Sequence, residues 1–206
     1  MVDPASALGA VKQFDEAVGL IEKFLGKLRA QPDIAALKLS AALDEIAKTY
    51  RALDEAFTEY VSLALDQDAL TTRSRELLII TGGSLKVRVS EGRGHCGQIS
   101  NIYWQHLRRW FEKAFNRGEQ AQIEEVFVRL GNADTDLFHD LINLADQLTV
   151  DSKDVLTLVM QHHEEEARKH VLHTYKKLAS VQHAMAQGMQ RMFALKDTFY
   201  QIARTA

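Results

Sequence analysis

The residues best suited to chemistry lie between positions 162 and 173, where four of the chain's eight histidines stand beside three consecutive glutamates. Imidazole nitrogens and carboxylate oxygens are ligands of divalent transition metals such as zinc, iron, manganese and nickel. In a helix that turns about 100° per residue, a strip within an arc of roughly 80° holds four of these side chains: His163, Glu166, His170 and His173. This strip predicts a metal site. Further ligands would come from His95, His106 or His139 on another helix.

Two other interpretations of the strip remain open. Glu164 and Glu165 point away from the arc and are typical of a solvated helix surface, so the strip is also explained as a polar face with local charge pairs. Because imidazoles titrate near neutral pH, the strip could instead form a pH-sensitive contact.

One family shares part of this pattern. The chain carries Phe138-His139-Asp140-Leu141, then His162-His163-Glu164-Glu165-Glu166, then His183. Within residues 134–200 this is similar to the hemerythrin-like cation-binding bundles, which carry a histidine on one helix, an H-x-x-x-E motif on a second and a histidine on a third. His162 and Glu166 match that motif in spacing. The resemblance implies a helical bundle that binds a di-iron centre.

A second candidate surface is a basic, aromatic segment. Residues 73–117 hold nine Lys or Arg and three Asp or Glu, a net of +6, so the rest of the chain carries −9 of the total of −3. The residues expected to contact a partner are Arg93, His95, Trp104, Arg108, Arg109 and Trp110. A protein partner, an anionic ligand or peripheral membrane contact would suit this surface. Six excess charges over 45 residues disfavour nucleic acid, and a core helix with basic solvent positions explains the pattern equally well.

No motif in the sequence points to catalysis. Cys96 follows His95 at an expected helix start, where a thiol pKa is lowered, but no third member of a triad is identifiable. Phosphate loops, H-E-x-x-H and G-x-S-x-G are absent. The sequence therefore favours a non-enzymatic protein.

The elements that must position these residues are predicted to be helices, because apolar residues recur every three or four positions. The fold class we predict is all-α, an elongated bundle of six or seven helices in a single domain over residues 1–206. The first two helices, separated at Pro32, should form a coiled-coil-like antiparallel hairpin over residues 1–66. Their seams are Val11, Phe14, Val18, Ile21, Leu25 and Leu28, then Leu39, Leu43, Ile46, Tyr50, Leu53, Phe57 and Tyr60.

The rest of the chain divides into an irregular and a regular part. Residues 67–98 contain a glycine-rich stretch for which we expect loops, and the alternation in Ser84–Ser90 is typical of a strand or a short helix. Residues 99–206 should form a bundle, with helices over 97–116, 120–130 and 134–148. A last long helix would start near Asp151 and carry the histidines.

Composition narrows the cellular setting. The N-terminal residues lack the basic start and apolar core of a signal peptide, and uninterrupted apolar runs such as Leu77–Ile80 are far shorter than the roughly 20 residues of a membrane span. We therefore expect a cytoplasmic location. The function we expect is a helical interaction or regulatory module, homo-oligomeric or bound to a protein partner. The alternatives are a metal-binding bundle and a membrane-active bundle.

Overall fold

A computed structural model of the chain describes residues 4–25 and 33–205, with side chains at all of these positions except 25, 33–36, 64, 67, 110, 114, 134 and 199–205. Every element in this part of the chain is helical. The α-helices are α1 (Pro4–Leu25), α2 (Asp33–Leu65), α3 (Gln67–Ile79), α4 (Leu85–Glu91), α5 (His95–Ile102), α6 (Arg108–Ala114), α7 (Arg117–Met160) and α8 (Glu164–Thr205).

Two π-helical segments join pairs of these helices without a break. Ile80–Ser84 continues α3 into α4, and Tyr103–Leu107 continues α5 into α6. The eight α-helices therefore form six continuous rods within the described ranges. The all-α bundle of six or seven helices predicted from the sequence is confirmed.

Local sequence explains where several helices begin. The Asp66 side chain accepts hydrogen bonds from the backbone N–H groups of Asp68 and Ala69 and thereby starts α3. Asn116 and Glu119 form a capping box at the start of α7. Three glutamates in the first turn of α8 complement the positive end of its helix dipole.

The core lies between the long helices. The most extensive packing is between α2 and α8, while α1 lies against both α7 and α8, and α5 packs on α7. Phe14 of α1 and Tyr50 of α2 meet edge to face with ring centroids 6.4 Å apart. Both predicted seams supply fully buried residues, including Val11, Ile46 and Leu53, so burial of apolar area there stabilises the bundle.

The glycine-rich segment is more regular than the sequence predicted. The alternating stretch Ser84–Ser90 is helical, not extended, because its Leu85 and Val89 lie one helical turn apart and are both buried. The chain turns only at residues 92–94, where Gly94 adopts a φ of 96°. Gly92 is buried in this turn, and a side chain there would collide with Thr49 and Phe138. Its lack of a Cβ lets α4 and α5 approach α2 and α7 closely.

Helix α7 corrects a second expectation. The helices predicted over 120–130 and 134–148 are joined with residues 151–160 of the predicted last helix into one helix of 44 residues, about 66 Å long at 1.5 Å per residue. Gly131, which directly follows the helix predicted over 120–130, lies inside it. A Cβ at Gly131 would be 3.1 Å from the Ser100 side chain, so this glycine serves the close packing of α5 on α7.

The histidine stretch also differs from prediction. The chain leaves helical geometry at Gln161–His163, and His162 adopts a left-handed φ of 60°. Histidine is among the residues that tolerate this conformation. Because of this turn, α7 and α8 are two packed helices rather than one rod, and His163 does not share a continuous helical wheel with His170.

The length and apolarity of the helices decide whether any of them could span a membrane. Among the described residues, none of the helices is long and apolar enough to cross a membrane. The peripheral membrane contact considered from the sequence stays untested.

Candidate metal centre

The turn at His162 places the C-terminal third of α7 beside the first half of α8. Asp151 and Asp154 of α7 thereby face His170 of α8. They lie at a cleft with a volume of about 980 Å³. Its lining comprises Pro4, Leu144, Gln147, Val150, Asp151, Asp154, His170, His173, Thr174, Lys177 and Leu178.

The three acidic and imidazole groups are close enough to share one ion. One ligand atom from each of Asp151, Asp154 and His170 lies within 4.8 Å of the other two. His170 Nε2 is 3.4 Å from Asp151 Oδ1, close to the roughly 3.3 Å that separates two ligands of a tetrahedral ion with bonds of about 2.0–2.1 Å. Asp154 is exposed, so its side chain can rotate to complete the set.

Burial makes this arrangement unusual. The Asp151 side chain is only 9% exposed, and its Oδ1 accepts a hydrogen bond of 3.1 Å from Gln147 Nε2. His170 Nε2 is shielded from solvent, and its neighbour Asp151 Oδ1, at 3.4 Å, does not meet hydrogen-bond geometry. A buried nitrogen without a well-formed hydrogen bond costs free energy, and an ion ligated by Nε2 would remove that cost.

A tyrosine from a third helix lies within electrostatic range of the centre without lining its cleft. Tyr60 of α2 is fully buried, and its hydroxyl makes no hydrogen bond; the Thr174 hydroxyl lies beside it without reaching hydrogen-bond geometry. Burial raises the Tyr60 pKa well above its usual range, Thr174 opposes this, and the Asp151 and Asp154 carboxylates add to the rise. Tyr60 is therefore a neutral hydroxyl at physiological pH, close enough to both carboxylates to sense their charge.

The π segment Ile80–Ser84 anchors α7 next to the centre. Thr149 Oγ1 donates to the Thr81 carbonyl oxygen at 2.7 Å, and Thr81 Oγ1 donates to Ser152 Oγ at 3.1 Å. Thr81 and Ser152 are fully buried. These bonds hold α7 immediately before and after Asp151, and so fix where that carboxylate stands.

The structure brings together only half of the strip predicted from the sequence. His170 and His173 line the cleft. His163 instead lies at the turn, where its Nδ1 is 3.3 Å from Glu166 and both side chains are more than half exposed. The predicted strip assumed an unbroken helix, and the turn at His162 removes that assumption.

The carboxylates were missed because the sequence assigned them another role. Asp151 and Asp154 were interpreted as the start of a helix, yet they lie three residues apart on one face inside α7. Asp151 and Asp154 precede the turn at His162 by about as many residues as His170 follows it, so the hairpin brings them opposite each other. A hairpin turn placed at His162 would have found them, but that turn contains neither glycine nor proline.

The other histidines named from the sequence lie elsewhere. His95 Nδ1 is 3.0 Å from Gln98 Oε1, and His106 Nε2 is 3.5 Å from Lys38 Nζ. His139 is exposed on α7. Within the described part of the chain, none of the three belongs to a cluster of potential metal ligands.

The hemerythrin-like pattern is likewise not assembled. His162 lies in the turn and is 91% exposed, while His183 Nε2 is 2.9 Å from Gln187 on α8. No family model, curated protein or solved structure matches this chain.

One arginine of the basic aromatic surface, Arg108, is paired within the protein. The Arg108 guanidinium lies 4.9 Å from the centre of the Trp104 ring and 3.2 Å from both Glu112 and Glu124. Neighbouring Tyr103 stacks on Phe127, and burial raises its pKa to about 12. Arg93 and Arg109 are exposed, and the Trp110 side chain lies outside the described set. The predicted role of this surface in binding a partner stays a prediction.

Proposed function

We propose that this protein binds a divalent transition metal ion through Asp151, Asp154 and His170. The observation that carries the proposal is the convergence of three ligand atoms from two helices within 4.8 Å. It retains the metal-binding alternative drawn from the sequence and replaces most of its ligands, since only His170 is common to both sets.

Electrostatics supports an ion at this place. Two carboxylates concentrate negative charge beside a buried nitrogen that lacks a hydrogen bond. Although Asp154 is exposed and only Asp151 is buried, two like charges held this close together repel each other. A divalent cation would neutralise both and would also accept the lone pair of His170 Nε2. The Gln147 bond to Asp151 would then orient a metal ligand, as groups around metal centres commonly do.

The ligand set narrows the choice of metal. Carboxylates suit manganese and magnesium, whereas an imidazole suits zinc, iron and nickel. A centre with two carboxylates and one imidazole favours manganese, iron or zinc over nickel. Three protein ligands also leave coordination positions open toward the cleft, which is the arrangement of a site that binds a further molecule.

The test is metal titration of protein prepared without a histidine tag and stripped with chelator. Isothermal titration with Mn²⁺ and Zn²⁺ should give one site per chain. Asp151→Asn and His170→Gln should each weaken that site by at least about tenfold, the loss expected when a partner of a bound metal is removed. Circular dichroism would verify that the variants stay folded.

The matched control is His163→Gln. His163 belongs to the strip predicted from the sequence but lies at the turn, outside the cleft. It should leave the affinity unchanged. Equal loss from His163→Gln and His170→Gln, or stoichiometric binding that ignores Asp151→Asn, would refute the proposed centre.

A second proposal keeps the interaction module expected from the sequence. Its support is the exposure of large apolar side chains at helix ends: Leu65 and Ile79 are each 76% exposed, and Met160 is 65% exposed. Each of these side chains exposes apolar area that contact with another protein surface would bury. Light scattering of the purified chain tests for self-association. A dimer that persists in a Leu65→Ser/Ile79→Ser variant would exclude these two side chains from its interface.

A further inference from the structure

Two basic side chains in the cleft have no partner within the described part of the chain. His173 and Lys177 line the cleft, and neither makes a hydrogen bond or ion pair there. They follow His170 by three and seven residues, which puts all three on one face of α8. Because helical side chains lean toward the N-terminus of their helix, Lys177 extends back toward the metal centre.

The charge of the cleft depends on the metal ion. Asp151 and Asp154 together carry −2 and Lys177 carries +1, so the cleft without a cation has a net charge of −1. A bound divalent cation changes this to +1. An anion would thus be repelled from the empty cleft and attracted to the loaded one, and its binding would require the metal.

The rest of the cleft lining comes from three helices and is more apolar than polar by exposed area. It consists of Pro4 of α1, Leu144, Gln147 and Val150 of α7, and Thr174 and Leu178 of α8. Its volume of about 980 Å³ lies at the upper end of the usual range for small-molecule sites. A cleft that combines apolar area with charged groups suits an amphiphilic ligand better than a fully polar one.

We infer that the cleft binds a carboxylate with a hydrocarbon body. One carboxylate oxygen would ligate the metal ion, the other would accept from Lys177, and the hydrocarbon would lie against Pro4 and Val150, whose apolar side chains are accessible at the cleft. This inference rests on the proposed metal centre, because the carboxylate would have no cation to ligate without it.

The experiment uses the full chain and octanoate labelled with ¹³C at the carboxyl carbon. Octanoate is titrated into chelated protein and into protein loaded with Mn²⁺, with binding measured by calorimetry and by broadening of the carboxyl resonance. Loading should increase the affinity at least tenfold, and Mn²⁺ should broaden the resonance because the carboxylate lies beside it. Acetate, which lacks the hydrocarbon, should bind more weakly, and octanol should show no dependence on Mn²⁺.

The decisive variant is Lys177→Met, with Lys176→Met as its control. Lys176 is an exposed neighbour that does not line the cleft. Lys177→Met should weaken octanoate about tenfold, the effect of losing one charged hydrogen bond, and leave Mn²⁺ affinity within about twofold. Lys176→Met should change neither.

Three results would overturn the inference while the metal centre stands: Mn²⁺ binds but octanoate does not, octanoate binds equally with and without Mn²⁺, or the two lysine variants behave alike. Failure of Mn²⁺ to bind at Asp151 and His170 would instead remove the proposed function, and this inference with it.

Discussion

Replacing Gly92 with alanine gives the sharpest test of how the bundle is packed. Gly92 is buried at the turn between α4 and α5, against α2 and α7. A Cβ there would overlap Thr49 Oγ1 and lie 2.6 Å from Cε1 of Phe138. The φ of Gly92 is −67°, which any residue can adopt, so the penalty would come from packing and not from backbone strain.

The size of the effect follows from these overlaps. Thr49 can rotate its hydroxyl away, but Phe138 is fully buried and has no free space to enter. Adding a methyl group to a well-packed core costs roughly 1–3 kcal/mol. For a chain of 206 residues, each kcal/mol lowers Tm by about 2–4 °C. We therefore expect Gly92→Ala to lower Tm by about 2–12 °C.

Urea denaturation followed by circular dichroism measures the free energy of unfolding. Gly9→Ala is the matched control, because nothing lies within 4 Å of a Cβ at Gly9 in α1. It should stabilise the protein by up to about 1 kcal/mol, since alanine is the better helix former. Adding Thr49→Ala to Gly92→Ala should recover part of the loss, because it removes the nearest overlap. A Gly92→Ala protein within 0.5 kcal/mol of the parent would refute the packing argument.

Three further predictions concern the turn and the titrating groups. His162→Gly should stabilise the protein by up to about 1 kcal/mol in urea denaturation, because glycine adopts the left-handed φ of His162 without steric cost. His162→Val should destabilise the protein, because a β-branched side chain is strained at that φ. Equal stability of the two variants would exclude strain at the turn. Lys196→Met should lower stability at neutral pH by about 0.5 kcal/mol, because the hydrogen bond from Lys196 holds the Asp44 pKa below its usual value. That benefit is lost once Asp44 is protonated, so the difference between variant and parent should vanish as pH falls below about 4. A difference in stability that persists at pH 2 would contradict this explanation. Tyr103→Phe should leave stability at pH 7 within about 0.5 kcal/mol of the parent. It should flatten the decline of stability between pH 10 and 12, because a Tyr103 pKa raised to about 12 means that unfolding releases its proton in that window. Identical alkaline stability profiles of variant and parent would show that Tyr103 does not contribute to the decline.

The sequence predicted helix type and core faces well, and helix ends poorly. Periodic apolar positions such as Val11 and Ile46 were assigned to the core and are fully buried. A helix that buries one face needs apolar residues every three or four positions, so the spacing identifies the buried face. Gly131 was assigned to a helix end but serves close packing against Ser100. A single glycine weakens a helix by only about 1 kcal/mol, which tertiary contacts readily offset.

Two of the four side chains in the predicted strip lie at the candidate site, and its two carboxylates were not predicted as ligands. His170 and His173 were singled out by residue type, and both line the cleft. Their acidic neighbours depend on a turn at His162 that has no glycine or proline to mark it. The position of Tyr60 near the site depends on the packing of α2 against α8. This is a contact between segments distant in the chain, and it leaves no local pattern in the sequence.

The hairpin of α7 and α8 also bears on the order in which the molecule folds. Asp151 and His170 are 19 residues apart in the chain, whereas the hydrogen bond from Gln182 to Asp54, between α8 and α2, spans 128 residues. By loop-closure entropy alone, the longer loop costs about 1.7 kcal/mol more to close. We expect the hairpin to form early and α2 to dock late, so the two carboxylates and the imidazole meet before the core that buries them is complete. An ion present during folding would then join the chain at the hairpin stage, before Tyr60 arrives with α2.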